Sequence, residues 1–119
     1  MKRIAVEEDF VTKESAQEWK RVLSSDSVEP GFRLMGASIL GDDAAANSVH
    51  ERLLDIGAGR IERMDADGID LSILSITSPG VQVFDSDTTT RLASAANNVL
   101  AEARVRARHS NVWYERIFN

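Results

Sequence analysis

The sequence contains no cysteine, and that absence removes a disulfide framework and thiolate chemistry together. No apolar run approaches the roughly 20 residues that a membrane-spanning helix needs. The start, MKRIAVEEDF, has no apolar core of signal-peptide length. A cytoplasmic protein without membrane contact is the expectation. No G-x-G-x-x-G, P-loop or nucleophile elbow occurs, and no internal repeat. Positive charge is also in deficit. A net charge of −5 and a pI near 5.0 argue against nucleic acid or anionic membrane as partners, because neither is held electrostatically by such a surface. There are two histidines, His50 near a helix start and His109 near a helix end, with no second histidine at ligand spacing.

What is present is an ordinary globular balance, 43% hydrophobic and 28% charged over 119 residues, enough for one domain with a modest core. A complete (β/α)₈ barrel needs about 250 residues. The organising stretch is 53–82, LLDIGAGRIERMDADGIDLSILSITSPGVQ. Leu54, Ala58, Ile61 and Met64 recur at helical spacing and form one apolar stripe. Gly68 stops that helix in a left-handed conformation, bringing Ile69 back against Met64 as in a Schellman motif. Leu71, Ile73, Leu74 and Ile76 then fall on both faces of a strand over about 70–77, as expected for a parallel strand covered on both sides. Pro79 and Gly80 break the ladder, leaving Thr77 and Ser78 at the strand's carboxyl end, where α/β folds place ligands.

Upstream, residues 2–10 read as a first strand ending in Glu7, Glu8 and Asp9. Strand alternation puts Glu7 and Asp9 on one face and Glu8 on the other, so that Glu7 and Asp9 can share a hard divalent cation or zinc; a plain solvated strand end is the alternative. Thr12 caps a helix reaching Leu23, with Trp19, Val22 and Leu23 as its apolar patch. Residues 24–47 read as a long irregular insertion, with Phe32, Leu34 and Met35 serving either as a substrate lid or as peripheral core. Asn47 or Ser48 caps the next helix, with Glu51 completing a capping box from Ser48. Gly57 and Gly59 imply close backbone approach or a break near Gly57. Arg60 beside them is either a surface residue or a bidentate carboxylate binder. Asp85-Ser86-Asp87 caps a helix through about Arg108 with a stripe of Leu92, Ala96, Val99 and Ala103 that packs on a sheet. Its closing arginines, Arg104, Arg106 and Arg108, suit the helix dipole. The tail from His109 to Asn119, with Trp113, Tyr114, Ile117 and Phe118, reads as a docking helical turn.

Taken together, Ile4-Ala5-Val6-Glu7-Glu8-Asp9-Phe10, Glu51-Arg52-Leu53-Leu54-Asp55, Arg60-Ile61, Met64-Asp65, Gly68-Ile69-Asp70, Thr77-Ser78-Pro79-Gly80-Val81-Gln82 and Ala96-Asn97 with Leu100-Ala101 form a recognisable pattern. It resembles the N-terminal third of the aromatic-acid decarboxylase branch of the amidohydrolase superfamily, whose members act on 5-carboxyvanillate, γ-resorcylate and dihydroxybenzoate. The likeness covers about 3–103, leaving 104–119 as a divergent tail of a single partial domain. It implies the N-terminal fragment of a TIM-like (β/α)₈ barrel with two parallel strands and flanking helices. It also implies one divalent metal, manganese or zinc, and a carboxy-lyase that removes carbon dioxide non-oxidatively from a small hydroxylated aromatic acid. By the same resemblance Glu7 matches the first-strand metal ligand, Asp9 stands where some members have a histidine ligand, Arg60 matches a holder of the substrate carboxylate, and Thr77 faces the same pocket. The remaining ligands, a histidine and an aspartate, and a catalytic histidine belong to later strands, so the expected site is incomplete. A non-catalytic α/β module that self-associates or complements a partner fragment is the alternative.

Overall fold

The computed structural model of the protein describes residues 1–107 and 113–116. Among the described residues five helices accompany a parallel sheet: β1 (Ile4–Phe10), α1 (Lys13–Leu23), α2 (Pro30–Leu40), α3 (Ala44–Leu54), α4 (Ala58–Asp67), β2 (Leu71–Ile76), α5 (Ser86–Ala107) and β3 (Trp113–Arg116). The order across the sheet is β1-β2-β3, and both pairings are parallel. β1 and β2 are the two strands expected from the sequence. β3 corrects the helical turn expected over 113–116: this segment pairs with β2 from Leu71↔Trp113 to Leu74↔Arg116. Backbone donors of the sheet edge outcompete the local i,i+4 pattern there. The rest of the expected helical turn, and Arg108, lie outside the described residues.

The join between α4 and β2 follows the sequence closely. Gly68 adopts φ 67° and ψ 35°, the left-handed conformation that a side chain disfavours. The Ile69 amide then donates to the Met64 carbonyl at 2.8 Å, which is the 6→1 bond of the Schellman motif. Ile69 packs onto the cluster that contains Met64.

Two apolar clusters flank this framework. The first joins Phe10 of β1, Leu74 of β2, Met64 of α4 and Ala96, Leu100 and Ala103 of α5. The α5 stripe therefore runs through Leu100, while Val99 stays 36% exposed, a one-position correction to the expected face. Burying a leucine such as Leu74 stabilises by about 1.5–3 kcal/mol. The second cluster gathers Val11, Ala16, Trp19 and Phe32, with Val22, Val28 and Met35 packed around them.

The segment expected to be irregular contains α2. Its amino end is capped by Glu29, whose carboxylate accepts from the Gly31 and Phe32 amides at 2.9 Å each. Phe32 and Met35 pack with Trp19 as peripheral core, whereas Leu34 is 77% exposed. α3 begins at Ala44, capped by Asp43 accepting from the Ala46 amide at 2.9 Å. The run Ala44-Ala45-Ala46 carries the helix a turn upstream of the expected Asn47 or Ser48 cap, since alanine has the highest helix propensity. The break near Gly57 is present: α3 ends at Leu54 and α4 starts at Ala58. Thr12 and Asp85 cap α1 and α5 as expected, accepting from the Ser15 and Thr88 amides. No helix among the described residues is long and apolar enough to cross a membrane.

Candidate metal and substrate site

β1 does not alternate cleanly. Its pairing with β2 runs Ile4↔Leu71 and Ala5↔Ser72, then shifts between Ala5 and Glu8 before resuming as Glu8↔Leu74 and Asp9↔Ser75. Glu7 sits in this bulge with φ 57°, a left-handed conformation that costs a non-glycine residue about 1–2 kcal/mol. Bulges of this type re-aim side chains beside functional sites. Despite the bulge, Glu7 and Asp9 line one cavity of about 550 Å³ at the carboxyl ends of β1 and β2, with Ser75, Ile76, Ser78, Pro79, Gly80, Gln82 and Val83. Glu8 faces another cavity, lined by Arg52, Arg60 and Arg63, to which Asp9 also contributes.

The loop after β2 is tied down from both sides. The Thr77 amide donates to the Phe10 carbonyl at 2.9 Å and the Gly80 amide to the Thr77 carbonyl at 2.8 Å, closing a tight turn. The Trp19 indole N–H donates to the Gly80 carbonyl at 2.9 Å, fastening α1 beneath the same turn. Thr77 is buried, and its hydroxyl donates to Asp9 Oδ2 at 3.0 Å. Thr77 thus acts on the cavity through Asp9.

Arg60 is 8% exposed. Its Nε donates to the Asp55 carbonyl at 2.8 Å, and its Nη2 donates to the Asp9 carbonyl at 2.7 Å and the Arg52 carbonyl at 3.3 Å. Nη1 lies 3.9 Å from Glu8 Oε2. The guanidinium therefore satisfies carbonyls left open where α3 breaks into α4, and fastens that corner to β1. Sequence reasoning misses this use, for which the signal is the helix break at Gly57, three residues before the arginine.

Elsewhere, the Glu29 carboxyl is held below its usual range by the amides it caps, and Asp85 likewise by Thr88. Burial, aided by Lys20, lowers His50. Among the described residues no group of three or more histidine, cysteine or acidic side chains is placed to hold a metal ion. Glu7 and Asp9 are hard oxygen donors of the kind manganese accepts.

No family model matches the chain. The γ-resorcylate decarboxylase of Polaromonas sp. (strain JS666 / ATCC BAA-500) is 34% identical over 101 residues, covering 84% of this chain and 26% of that protein. That of Rhizobium radiobacter is 46% identical over 55 residues, 45% of this chain and 17% of that protein. The crystal structure of 5-carboxyvanillate decarboxylase from Novosphingobium aromaticivorans DSM 12444, complexed with manganese and 4-hydroxy-3-methoxy-5-nitrobenzoic acid, superposes with a TM-score of 0.85 at 37% identity. It covers 99% of this chain and 33% of its own. In sequence and fold, this chain is similar to metal-dependent aromatic-acid decarboxylases of the amidohydrolase superfamily. The dihydroxybenzoic acid decarboxylase from Polaromonas sp. JS666, with bound manganese and 2-nitroresorcinol, has a TM-score of 0.68 at 28% identity. The chain spans about a quarter to a third of these decarboxylases, which are TIM barrels. Its parallel strands and helices are thus a barrel-type α/β segment.

Proposed function

We propose that this chain forms the first-strand side of a divalent-metal site for non-oxidative decarboxylation of a hydroxylated aromatic acid. The observation that carries this reading is the convergence of Glu7 and Asp9 on one cavity at the carboxyl ends of β1 and β2, in a chain whose solved relatives hold manganese. Glu7 is the proposed ligand, with Asp9 beside it. When bound, manganese or zinc supplies a Lewis acid that polarises the oxygens of an aromatic acid.

The chain's own residues orient that chemistry. Thr77 holds one Asp9 oxygen, which fixes the carboxylate's direction and leaves the other oxygen for the cavity. Arg60 holds the Asp9 main chain, so its proposed contribution to substrate binding comes through the shape of β1 as well as through its positive charge. The carboxy-lyase reaction itself further requires a proton donor to the ring carbon. This reading assigns residues 1–103 to the decarboxylase-like part and 104–119 to a divergent tail.

The test is manganese titration of the 119-residue protein, followed by paramagnetic broadening of its NMR signals. Broadening centred on Glu7 and Asp9 and lost in Glu7→Gln is expected; broadening elsewhere overturns the assignment. Manganese-dependent carbon dioxide release from 2,6-dihydroxybenzoate by the 119-residue protein alone would overturn the expectation that its site is incomplete.

A second reading is favoured by the sheet edge. Among the described residues β1 has a partner strand on one side only, and its Ile4 and Val6 are 53% and 61% exposed. Such an edge invites pairing, which suits a non-catalytic module that associates with a second copy or a complementary fragment. Light scattering decides between them: a monomer across the micromolar range removes self-association.

A further inference from the structure

A second cavity adjoins the carboxylate cavity. It measures about 560 Å³ and is lined by Val22 and Val28, by Phe32 and Met35 of α2, by Ser25, Ser27 and Glu29, and by Ser78, Pro79 and Val83. The last three residues also line the carboxylate cavity, so the two spaces adjoin along this shared edge. Its volume lies within the roughly 300–1,000 Å³ of small-molecule sites.

The walls are of two kinds. Val22, Val28, Phe32 and Met35 belong to the Trp19 cluster, so the apolar surface is backed by packed side chains. Ser25, Ser27 and Ser78 add hydroxyls. The one charged lining residue is Glu29, a carboxylate at neutral pH that caps α2 through the Gly31 and Phe32 amides. An anionic head is repelled from this end, whereas an aromatic ring finds apolar faces and hydroxyl partners. On the proposed function, the carboxylate of a ligand spanning both spaces points toward Glu7 and Asp9, where a bound divalent cation would neutralise it.

We infer that this cavity is a specificity subsite for the uncharged end of an extended aromatic acid, a ring or apolar substituent lying between α2 and the Ser78-Pro79 wall. The inference rests on the decarboxylase reading, and names the acids it favours as those larger than an unsubstituted hydroxybenzoate.

The probe is p-cresol, a phenol uncharged at neutral pH, titrated into the 119-residue protein with ¹³C-labelled valine and methionine methyls. Binding with a dissociation constant on the order of 1 mM is expected for so few atoms, with shifts at Val28, Met35 and Val83. Ser27→Trp, a substitution at an exposed position, fills the cavity and weakens these shifts at least tenfold, while manganese broadening at Glu7 and Asp9 is unchanged. Absence of shifts at the three methyls, or shifts indifferent to Ser27→Trp, overturns the subsite even where manganese binds. Cresol binding without manganese broadening overturns the decarboxylase reading, and with it the assignment of this cavity to a substrate.

Discussion

The Thr77 hydroxyl donates to the Asp9 carboxylate at 3.0 Å across 68 positions of sequence. It links the ends of two parallel strands by their side chains, beside the main-chain bond from the Thr77 amide to the Phe10 carbonyl.

Thr77→Val keeps the shape of the buried side chain and removes the donor. Stability should fall by about 1 kcal/mol, read as the urea midpoint. Under the proposed function, manganese affinity falls several-fold because Asp9 loses its fixed direction. An unchanged affinity alongside the lost stability would leave Asp9 outside the metal shell.

Arg60→Met should be more costly. It deprives three main-chain carbonyls of a charged donor at the α3–α4 corner, for a loss of about 3 kcal/mol by chemical denaturation. Arg60→Lys recovers little, because one ammonium does not reproduce the planar fork. A residue that served only to grip substrate would leave the unfolding midpoint where it was.

Glu7 and Gly68 share a left-handed backbone and make opposite predictions. Glu7→Gly relieves the strain at φ 57° and should raise stability by up to about 1 kcal/mol, while abolishing manganese broadening at that position. Gly68→Ala introduces strain at φ 67°, and its Cβ would lie 2.9 Å from the Arg3 guanidinium. A loss of about 1–2 kcal/mol is expected. Paired denaturation curves check both signs at once.

Acid should destabilise the protein through its helix caps. Glu29 and Asp85 are held below their ordinary values of 4.5 and 3.8, so on acidification the unfolded chain takes up their protons first. Their contribution is complete above those ordinary values and is lost as pH falls through the folded ones. The double variant Glu29→Gln, Asp85→Asn should show a shallower decline of melting temperature over roughly pH 5 to 3. An unaltered slope would place the acid sensitivity elsewhere.

These same residues show how far the sequence could be read. The stop at Gly68 was legible because a single local conformation dictates it, as were the caps at Thr12 and Asp85. The α2 helix was not, because Gly31, Gly36 and Ser38 lower its local propensity and the compensation is tertiary, through Phe32 against Trp19. The candidate site divides similarly. Glu7 and Asp9 were located as a pair, yet the alternation used to pair them is interrupted by the bulge at Glu7, which only the register with β2 reveals. Arg60 was identified as notable, while its three carbonyl partners depend on how a chain break meets a distant strand.

The bond from Trp19 to Gly80 has an optical consequence. Trp19 is one of two tryptophans and is 1% exposed, so in a Trp113→Phe variant the remaining indole emits from a dry environment. Its ring nitrogen is fastened to the turn that walls both cavities. A red shift and quenching by iodide would then report that turn detaching from α1, giving a label-free spectroscopic signal for events at the cavities.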